Sequence, residues 1–209
     1  MTQPIENTQP MRVDIRKLSF LNEMAKVGTN GVATNMAKLT GQPAEMEVTK
    51  TNFIDVADIH SQVDETHRVG VRVRLQDAPH GHILVLFPET SAKKITAIMV
   101  SDVVDDMSNV SGKLARSAVE EMGNMMASGF IDGWADVLGR VIDTAAPQLV
   151  YAPADEIVSR TAERGGDDLV LFFDSDLSIP SYDIEAELYA LPDLAEFVEM
   201  INSIDLPNA

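Results

Sequence analysis

The sequence contains one pattern of helix and strand signals twice, and this repetition limits the folds that the chain can adopt. The stretch "SFLNEMAK" at 19–26 has a counterpart in "SAVEEMGN" at 117–124, and the prolines before two predicted strands, Pro43 and Pro147, form a similar pair. Two copies are too few for a solenoid, and each copy has too few strands to cover its own apolar face. We therefore expect both copies to share one sheet.

In the first copy, apolar residues at three- and four-residue steps predict a helix from Asp14, a possible cap, to Leu39, ended by "GQP". A strand "AEMEVTKTNF" and a helical connector "DVADIHSQV" follow. The alternation in "RVGVRVRLQ" predicts a hairpin strand with valines on one face and arginines on a wet face. "HILVLFPE" is the partner strand, and Thr90 is expected to cap the closing helix "TSAKKITAIMV".

The second copy repeats this order. A long helix is predicted from about Ser111 to Asp143, and Pro147 opens the strand "QLVYA". A connector "PADEIVSRTAE", a hairpin of "DDLVLFFDSD" and "SYDIEAELYA", and a closing helix "LPDLAEFVEMI" complete the copy. The prediction is a pseudo-twofold α+β domain with about six mainly antiparallel strands, covered on one face by the two long helices. Residues 1–12 are predicted to be a flexible terminus, and 13–209 a single domain of two pseudo-repeats, at about 13–100 and 111–204.

The chain carries 33 acidic and 16 basic residues, for a formal net charge of -17. Such a charge disfavours nucleic acid or an anionic bilayer as a partner. It also favours a salty cytoplasm, because salt near 1 M shortens the Debye length to about 3 Å and weakens self-repulsion. An acidic protein from a low-salt source is the alternative reading.

The sequence has no cysteine, which excludes disulfides, thiolate catalysis and cysteine-based zinc sites. Its amino terminus lacks a basic segment followed by an apolar one, and no apolar run approaches the ~20 residues that span a bilayer. A cytoplasmic location without membrane insertion is expected.

One face of the second long helix carries three polar side chains in a row. With about 100° per residue, Ser117, Glu121 and Asn124 fall on one side of the helix, while Val119, Met122 and other apolar residues fall on the other. Such a row on a single helix is ordinarily only a solvated face. Its partial repetition by Ser19, Glu23 and Lys26 in the first copy favours a functional role. Gly31 and Gly129 also coincide between the copies, which indicates tight packing, either of the two long helices against each other or of helix against sheet.

Ser-x-x-x-Glu-x-x-Asn with a later proline, here Ser117, Glu121, Asn124 and Pro147, resembles the signature of the CheC, CheX and FliY phosphatases of chemotaxis. The similarity is to CheC in particular, and it spans nearly the whole chain. It implies hydrolysis of the aspartyl phosphate of the response regulator CheY. It further implies that Asn124 orients the attacking water, that Glu121 pairs with a regulator lysine, and that Ser117 and Pro147 support the site.

The resemblance implies that this chain itself binds no cofactor or metal, and that Mg²⁺ comes with the regulator. The deamidase CheD is expected as a second partner. Lys26 departs from the motif because an ammonium group donates hydrogen bonds but accepts none, so it cannot orient a water as an amide can. The first site, with Ser19 and Glu23, is therefore expected to be degenerate.

Two other functions stay open at this point. One is a non-catalytic adaptor that binds phosphorylated CheY, CheD or both, and Lys26 favours it. The other is a flagellar-switch component like FliY, which is disfavoured because the chain ends at Ala209 without a further predicted domain.

Several other residues have plainer interpretations. A metal site of His60, His80 and His82 is weighed against ordinary turn and strand histidines, and the latter are preferred. Arg72 and Arg74 are expected to pair with Asp183, Glu185 or Glu187 rather than to form an anion site. The methionines around Met122 are assigned to core packing rather than to an adaptable surface.

The charge leads to a first prediction. The melting temperature should rise between low salt and molar KCl, because screening reduces repulsion among the excess carboxylates. Thermal denaturation followed by circular dichroism measures this shift. A melting temperature that stays constant or falls contradicts the halophilic interpretation.

Overall fold

The structure is a computed structural model that describes residues 15–101, 110–163 and 169–203, with side chains from Phe20 onward. The predicted flexible terminus at 1–12 lies outside the described residues. Within them the chain forms five α-helices, which are α1 (Ile15–Thr40), α2 (Glu89–Val100), α3 (Gly112–Leu138), α4 (Ala154–Ala162) and α5 (Leu194–Ser203). A 3-10 helix, Val56–Ser61, forms the connector of the first copy.

Six antiparallel strands form one sheet, as the sequence predicts. They are β1 (Glu45–Asp55), β2 (His67–Leu75), β3 (Gly81–Phe87), β4 (Gln148–Pro153), β5 (Leu169–Ile179) and β6 (Ile184–Pro192). Their order is β1-β5-β6-β3-β2-β4. Replacing each strand by its counterpart in the other copy (β1 by β4, β2 by β5 and β3 by β6, and the reverse) gives the same order read from the opposite edge of the sheet. The pseudo-twofold prediction is therefore confirmed.

The first strand of each copy pairs with the other copy. β1 pairs with β5, where Phe53 faces Leu171, and β4 pairs with β2, where Leu149 faces Val71. The two hairpins meet at the centre through β3 and β6. Each copy therefore supplies the outermost strand that completes the other copy's part of the sheet.

The long helices cover one face of this sheet. Val71, Val73 and Leu75 point from β2 into a core that α1 and α3 close from above. Trp134 is fully buried there, with ring centroids 5.2 Å from Phe130 and 5.4 Å from Phe173. This core holds both helices against both hairpins.

The face of the sheet opposite the long helices is only partly exposed to solvent. The prediction that the first hairpin has one solvent-exposed face is therefore corrected. Leu84 and Leu86 are fully buried on that face, under α4 and the 3-10 helix. Both connectors are amphipathic and turn Ile59 and Val158 toward the sheet. Central strands are therefore covered on both sides.

Among the described residues, Arg74 forms no ion pair with Asp183, Glu185 or Glu187, contrary to the prediction. Arg68 instead pairs with Glu187, at 3.0 Å, while Asp183 binds Lys94. Arg72 donates a hydrogen bond to the side chain of Gln148 on β4. The reason is strand order, because β3 separates β2 from β6 and only the first arginine of β2 reaches across it.

Two helix ends differ from prediction. α2 begins at Glu89 after Pro88, without a side-chain cap, so Thr90 lies inside its first turn. α3 ends at Leu138 rather than near Asp143, because Gly139 adopts φ 62°, a left-handed conformation that stops the helix. Its start matches prediction, since the Leu114 N–H donates to Ser111 Oγ at 3.2 Å.

Paired glycines let α1 and α3 touch backbone to backbone. A Cβ added to Gly31 would overlap the carbonyl oxygen of Gly129, and one added to Gly133 would lie 2.8 Å from Gly28 Cα. The helices therefore cross in antiparallel directions, and the tight packing expected from the coincident glycines is confirmed. A larger residue at Gly31 can be accommodated only if one backbone moves.

We expect Gly31→Ala to lower the free energy of unfolding by roughly 1–3 kcal/mol, the usual cost of overpacking. Gly112→Ala is the matched control, because it is also helical and has open space around it. It should be neutral or stabilising by up to ~1 kcal/mol, the helix preference of alanine. Urea denaturation measures both, and equal stability of the two variants would contradict the close crossing.

Candidate functional site

The outer face of α3 presents the polar row that the sequence singles out. Ser117 and Glu121 are exposed, and Asn124 is half-buried. On the opposite side, Val119 is 4% exposed and Met122 1% exposed. The amide of Asn124 thus lies at the border between core and solvent, which a helical wheel alone does not reveal.

Contact between α3 and the sheet fixes the position of this row relative to β2. Gly123 lies directly above β2, where an added Cβ would be 2.5 Å from Val71 Cβ. The neighbouring residues Met122 and Met126 are buried in the same core, which confirms their assignment to packing. Asn124 is therefore carried by a segment that has almost no freedom to shift relative to the sheet.

The polar groups of the row have no partner among the residues that the structure describes. In the described part of the chain, the side chains of Ser117, Glu121 and Asn124 make no hydrogen bond or ion pair. The adjacent Arg116 and Glu120 do pair, with 3.2 Å between Nε and Oε1. A carboxylate and a carboxamide one helical turn apart thus remain available to a ligand or partner.

A groove beside the row was not foreseen from the sequence. It encloses about 430 Å³ between α2, α3 and the edge of the sheet. Val69, Val119 and Leu149 supply apolar walls, while Lys93 and Arg116 lie among its charged lining residues. Tyr151, 58% exposed, hydrogen-bonds through its hydroxyl to Glu89. The only sequence signal for this groove was the alternation of Leu149 and Tyr151 along a strand at the edge of the sheet.

Pro147 stands immediately before β4 and is half-buried. Two residues later, Leu149 pairs with Val71, the residue beneath Gly123. The predicted start of the strand is thus confirmed. Pro147 is thus linked to the polar row through β4, β2 and α3.

The corresponding residues of the first copy are at the far end of the helix pair. Glu23 and Lys26 are exposed on α1, whereas the side chain of Ser19 lies outside the described residues. Glu23 and Glu121 each precede the crossing glycine of their helix by eight residues. Because the helices are antiparallel, the two rows are separated by roughly 24 Å along the axis. A single bound partner cannot easily use both.

Two of the histidines considered for a metal site, His60 and His80, belong to separate side-chain pairs. His60 Nδ1 lies 2.7 Å from Asp155 Oδ2, and its other ring nitrogen lies 3.5 Å from the buried Ser159 hydroxyl. This contact joins the 3-10 helix to α4. His80 hydrogen-bonds to Glu196, which raises the pKa of His80 above its usual range. The described residues contain no group of three side chains arranged to hold a metal ion.

Within the ranges that the structure describes, no helix combines the length and the apolar character needed to cross a bilayer.

The chain matches known proteins at the level of family and of fold. The model of the CheC-like family matches residues 114–151, which contain α3 from Leu114 onward and the start of β4. A protein of Halobacterium salinarum named "Putative CheY-P phosphatase CheC1" is 43% identical over 192 residues, 92% of this chain and 98% of that protein.

Two solved structures share the fold at low sequence identity. FliY of Thermotoga maritima superposes with a TM-score of 0.70 at 15% identity, over 92% of this chain and 98% of that one. The complex of CheX with CheY, BeF₃ and Mg²⁺ from Borrelia burgdorferi matches with a TM-score of 0.51 at 16% identity, covering 86% of this chain and 99% of that one.

The orientation of α3 can be tested by chemical labelling, because the natural chain contains no cysteine. Glu121→Cys should react with a maleimide at least on the order of tenfold faster than Val119→Cys, since the first position is exposed and the second is buried. The rates are measured by mass spectrometry on folded protein. Equal rates would mean that the polar row does not face solvent.

Proposed function

Because this chain belongs to the CheC-like family, we propose that it is a phosphatase that hydrolyses the aspartyl phosphate of a CheY-type response regulator. The active site is the row of Ser117, Glu121 and Asn124 on α3. The single observation that carries the proposal is a carboxamide and a carboxylate, neither with a partner among the described residues, on a helix packed closely against the sheet. The similarity to a protein named as a CheY-P phosphatase supports the same reading.

Asn124 positions the attacking water. Its carboxamide oxygen accepts a hydrogen bond from the water while its NH₂ group donates to an oxygen of the phosphoryl group. The water oxygen bonds to phosphorus as the bond from phosphorus to the aspartyl oxygen breaks. The products are inorganic phosphate and a free carboxylate. Little covalent chemistry is required of the enzyme, because an acyl phosphate has a good leaving group and such transfer depends mainly on positioning and charge stabilisation.

Glu121 holds the regulator in place by pairing with a lysine near its phosphorylated aspartate. The carboxylate is exposed and one turn from Asn124, so an ammonium group bound there brings the phosphoryl group beside the amide. Mg²⁺ belongs to the regulator and neutralises charge on the phosphoryl oxygens. Ser117 borders this contact, and Pro147 supports the strand next to it.

The groove beside the row extends the contact surface. Its apolar walls can bury part of the regulator next to the reacting group. Lys93 lines the groove together with Glu89 and with Arg116, which pairs with Glu120. The ammonium group of Lys93 can attract the anionic aspartyl phosphate and its neighbouring carboxylates.

The first-copy row serves at most as a weak second contact. Lys26 has no acceptor for a water hydrogen, and its charge opposes a lysine on the regulator. One regulator per chain is therefore turned over. The alternative is an adaptor that binds phosphorylated CheY, or the deamidase CheD, without hydrolysis. Tight binding of phosphorylated regulator without phosphate release above its own decay would favour the adaptor.

Asn124→Ala should slow dephosphorylation by ~10²-fold, the usual loss when one positioned polar group is removed from a transition state. Phosphate release from phosphorylated CheY in high salt is the measurement. Ser128→Ala is a matched control, since this residue is also half-buried and lies one turn further along the same helix face. If the Asn124→Ala variant dephosphorylates the regulator as fast as the natural protein does, the water-positioning role is wrong.

The reciprocal change probes the first copy in the same assay. Lys26→Asn restores the amide beside Glu23 and should raise the turnover rate per chain. In the Asn124→Ala background it should return part of the lost activity, which separates a second working site from a general effect on stability.

A further inference from the structure

Three lysines, on three different helices, lie around the polar row of α3. Lys113 is exposed in the first turn of α3, one turn before Ser117 and on the same side of the helix at about 100° per residue. It therefore continues the row. Lys93 is exposed on α2 and lines the groove together with residues from the first two turns of α3. Among the described residues, neither lysine makes a hydrogen bond or an ion pair.

Lys38 approaches the same row from α1, and it too has no partner in the part of the chain that the structure describes. It is exposed in the last turn of α1, seven residues beyond the crossing glycine Gly31, while Asn124 lies five residues before the crossing glycine of α3. Because the helices are antiparallel, both displacements run toward the same end of the pair and amount to roughly 10 Å and 8 Å. With about 100° per residue, Lys38 falls on nearly the same side of α1 as Gly31, the side that faces α3. Lys38 therefore flanks the row near its amide.

Neighbouring acidic side chains do not neutralise these three ammonium groups by direct pairing. Three of those acidic side chains have other partners, namely Glu120 with Arg116, Asp183 with Lys94 and Glu89 with Tyr151. Glu121 has no partner among the described residues, and the proposed mechanism assigns it to a lysine of the regulator. The three lysines thus remain able to attract an anionic partner.

The helices around the first row carry a different pattern of charge. The residue that corresponds to Lys38, at the offset between the two crossing glycines, is Asp136, which is exposed on α3. α5, the counterpart of α2, carries Glu196 and Glu199 and contains no lysine or arginine. The two ends of the helix pair therefore differ in the charge of their surrounding helices as well as in the residue at the amide position.

We infer that Lys38, Lys93 and Lys113 form an interaction surface that steers the phosphorylated face of the regulator to the α3 row rather than to the first row. The inference rests on the proposed function, in which the regulator presents an aspartyl phosphate and neighbouring carboxylates. Cations around one row raise the rate at which an anionic partner meets that row. Lysine suits this task because an ammonium group on a flexible stem attracts an anion without a fixed bonding geometry. Asn124 then acts on the phosphoryl group that arrives.

Stopped-flow association of the full chain with a CheY-type regulator tests this inference. The regulator is loaded with BeF₃ and Mg²⁺, a stable mimic of its phosphorylated form. In ~0.1 M KCl, Lys38→Gln, Lys93→Gln and Lys113→Gln should each lower the association rate constant about twofold, and the triple variant should lower it about tenfold, within the range of electrostatic steering. In ~1 M KCl these differences should disappear, because the Debye length falls to about 3 Å.

Lys50→Gln is the matched control. It removes the same charge from β1, at the edge of the sheet opposite β4, where Lys50 is exposed and is the cross-strand partner of Asp174. Its association rate constant should equal that of the natural chain. The inference is overturned if the triple variant associates as fast as the natural chain in ~0.1 M KCl, or if Lys50→Gln slows association as much as the other single variants do. A loss that persists undiminished in ~1 M KCl overturns it as well. Melting curves check that each variant is folded.

Phosphate release from the phosphorylated regulator, measured on the same variants, separates this inference from the proposed function. The triple lysine variant should raise KM, because slower association reduces capture of the regulator, whereas Asn124→Ala should lower kcat. If the natural chain associates in a lysine-dependent and salt-dependent way but releases no phosphate, the proposed hydrolysis is wrong and the steering stands. If the natural chain releases phosphate and the triple variant associates at the natural rate, the steering alone is rejected.

Discussion

The close crossing of α1 and α3 is the constraint on which the rest of the structure depends. Backbone contact at Gly31 and Gly129 brings the helices together over the centre of the sheet, so the same apolar residues can pack against both hairpins. Any Cβ at Gly31 would separate the helices and open the layer around Trp134. Because the crossing is antiparallel, it also places the two polar rows at opposite ends of the pair and gives each a separate surface.

The duplication gives one fold two corresponding surfaces that carry different side chains. Strand order obeys the pseudo-twofold relation, while residues at the surface depart from it. Asn124, for example, has Lys26 as its counterpart. The symmetric core thus sets positions, and individual exposed side chains decide which position acts.

Much of the fold follows from local patterns. Alternation in β2, the glycine after α1 and the helical spacing in α3 each match a regular element whose signal lies within a few residues. The coincidence of Gly31 and Gly129 indicated a close approach, and the structure shows that it is between the two helices. The burial of Leu84 and Leu86 under the connectors was harder to predict from the sequence. The same short connector sequence can pack against a sheet or lie in solvent.

The candidate row itself was found from spacing, but its neighbourhood was not. The groove at Tyr151 arises where strands distant in sequence become neighbours. A pattern along one strand cannot show that Gln148 lies opposite Arg72, or that β3 separates β2 from the acidic residues of β6. Pairing across the copies, rather than local propensity, decides both.

The exchange of outer strands between the copies also affects folding during translation. Glu45 pairs with Ser178, and Val71 pairs with Leu149. The strands of the first copy therefore lack these partners until most of the second copy has been translated. Such distant pairing delays folding and leaves strand edges uncovered in the meantime. The net charge of -17 opposes association between such incompletely folded chains.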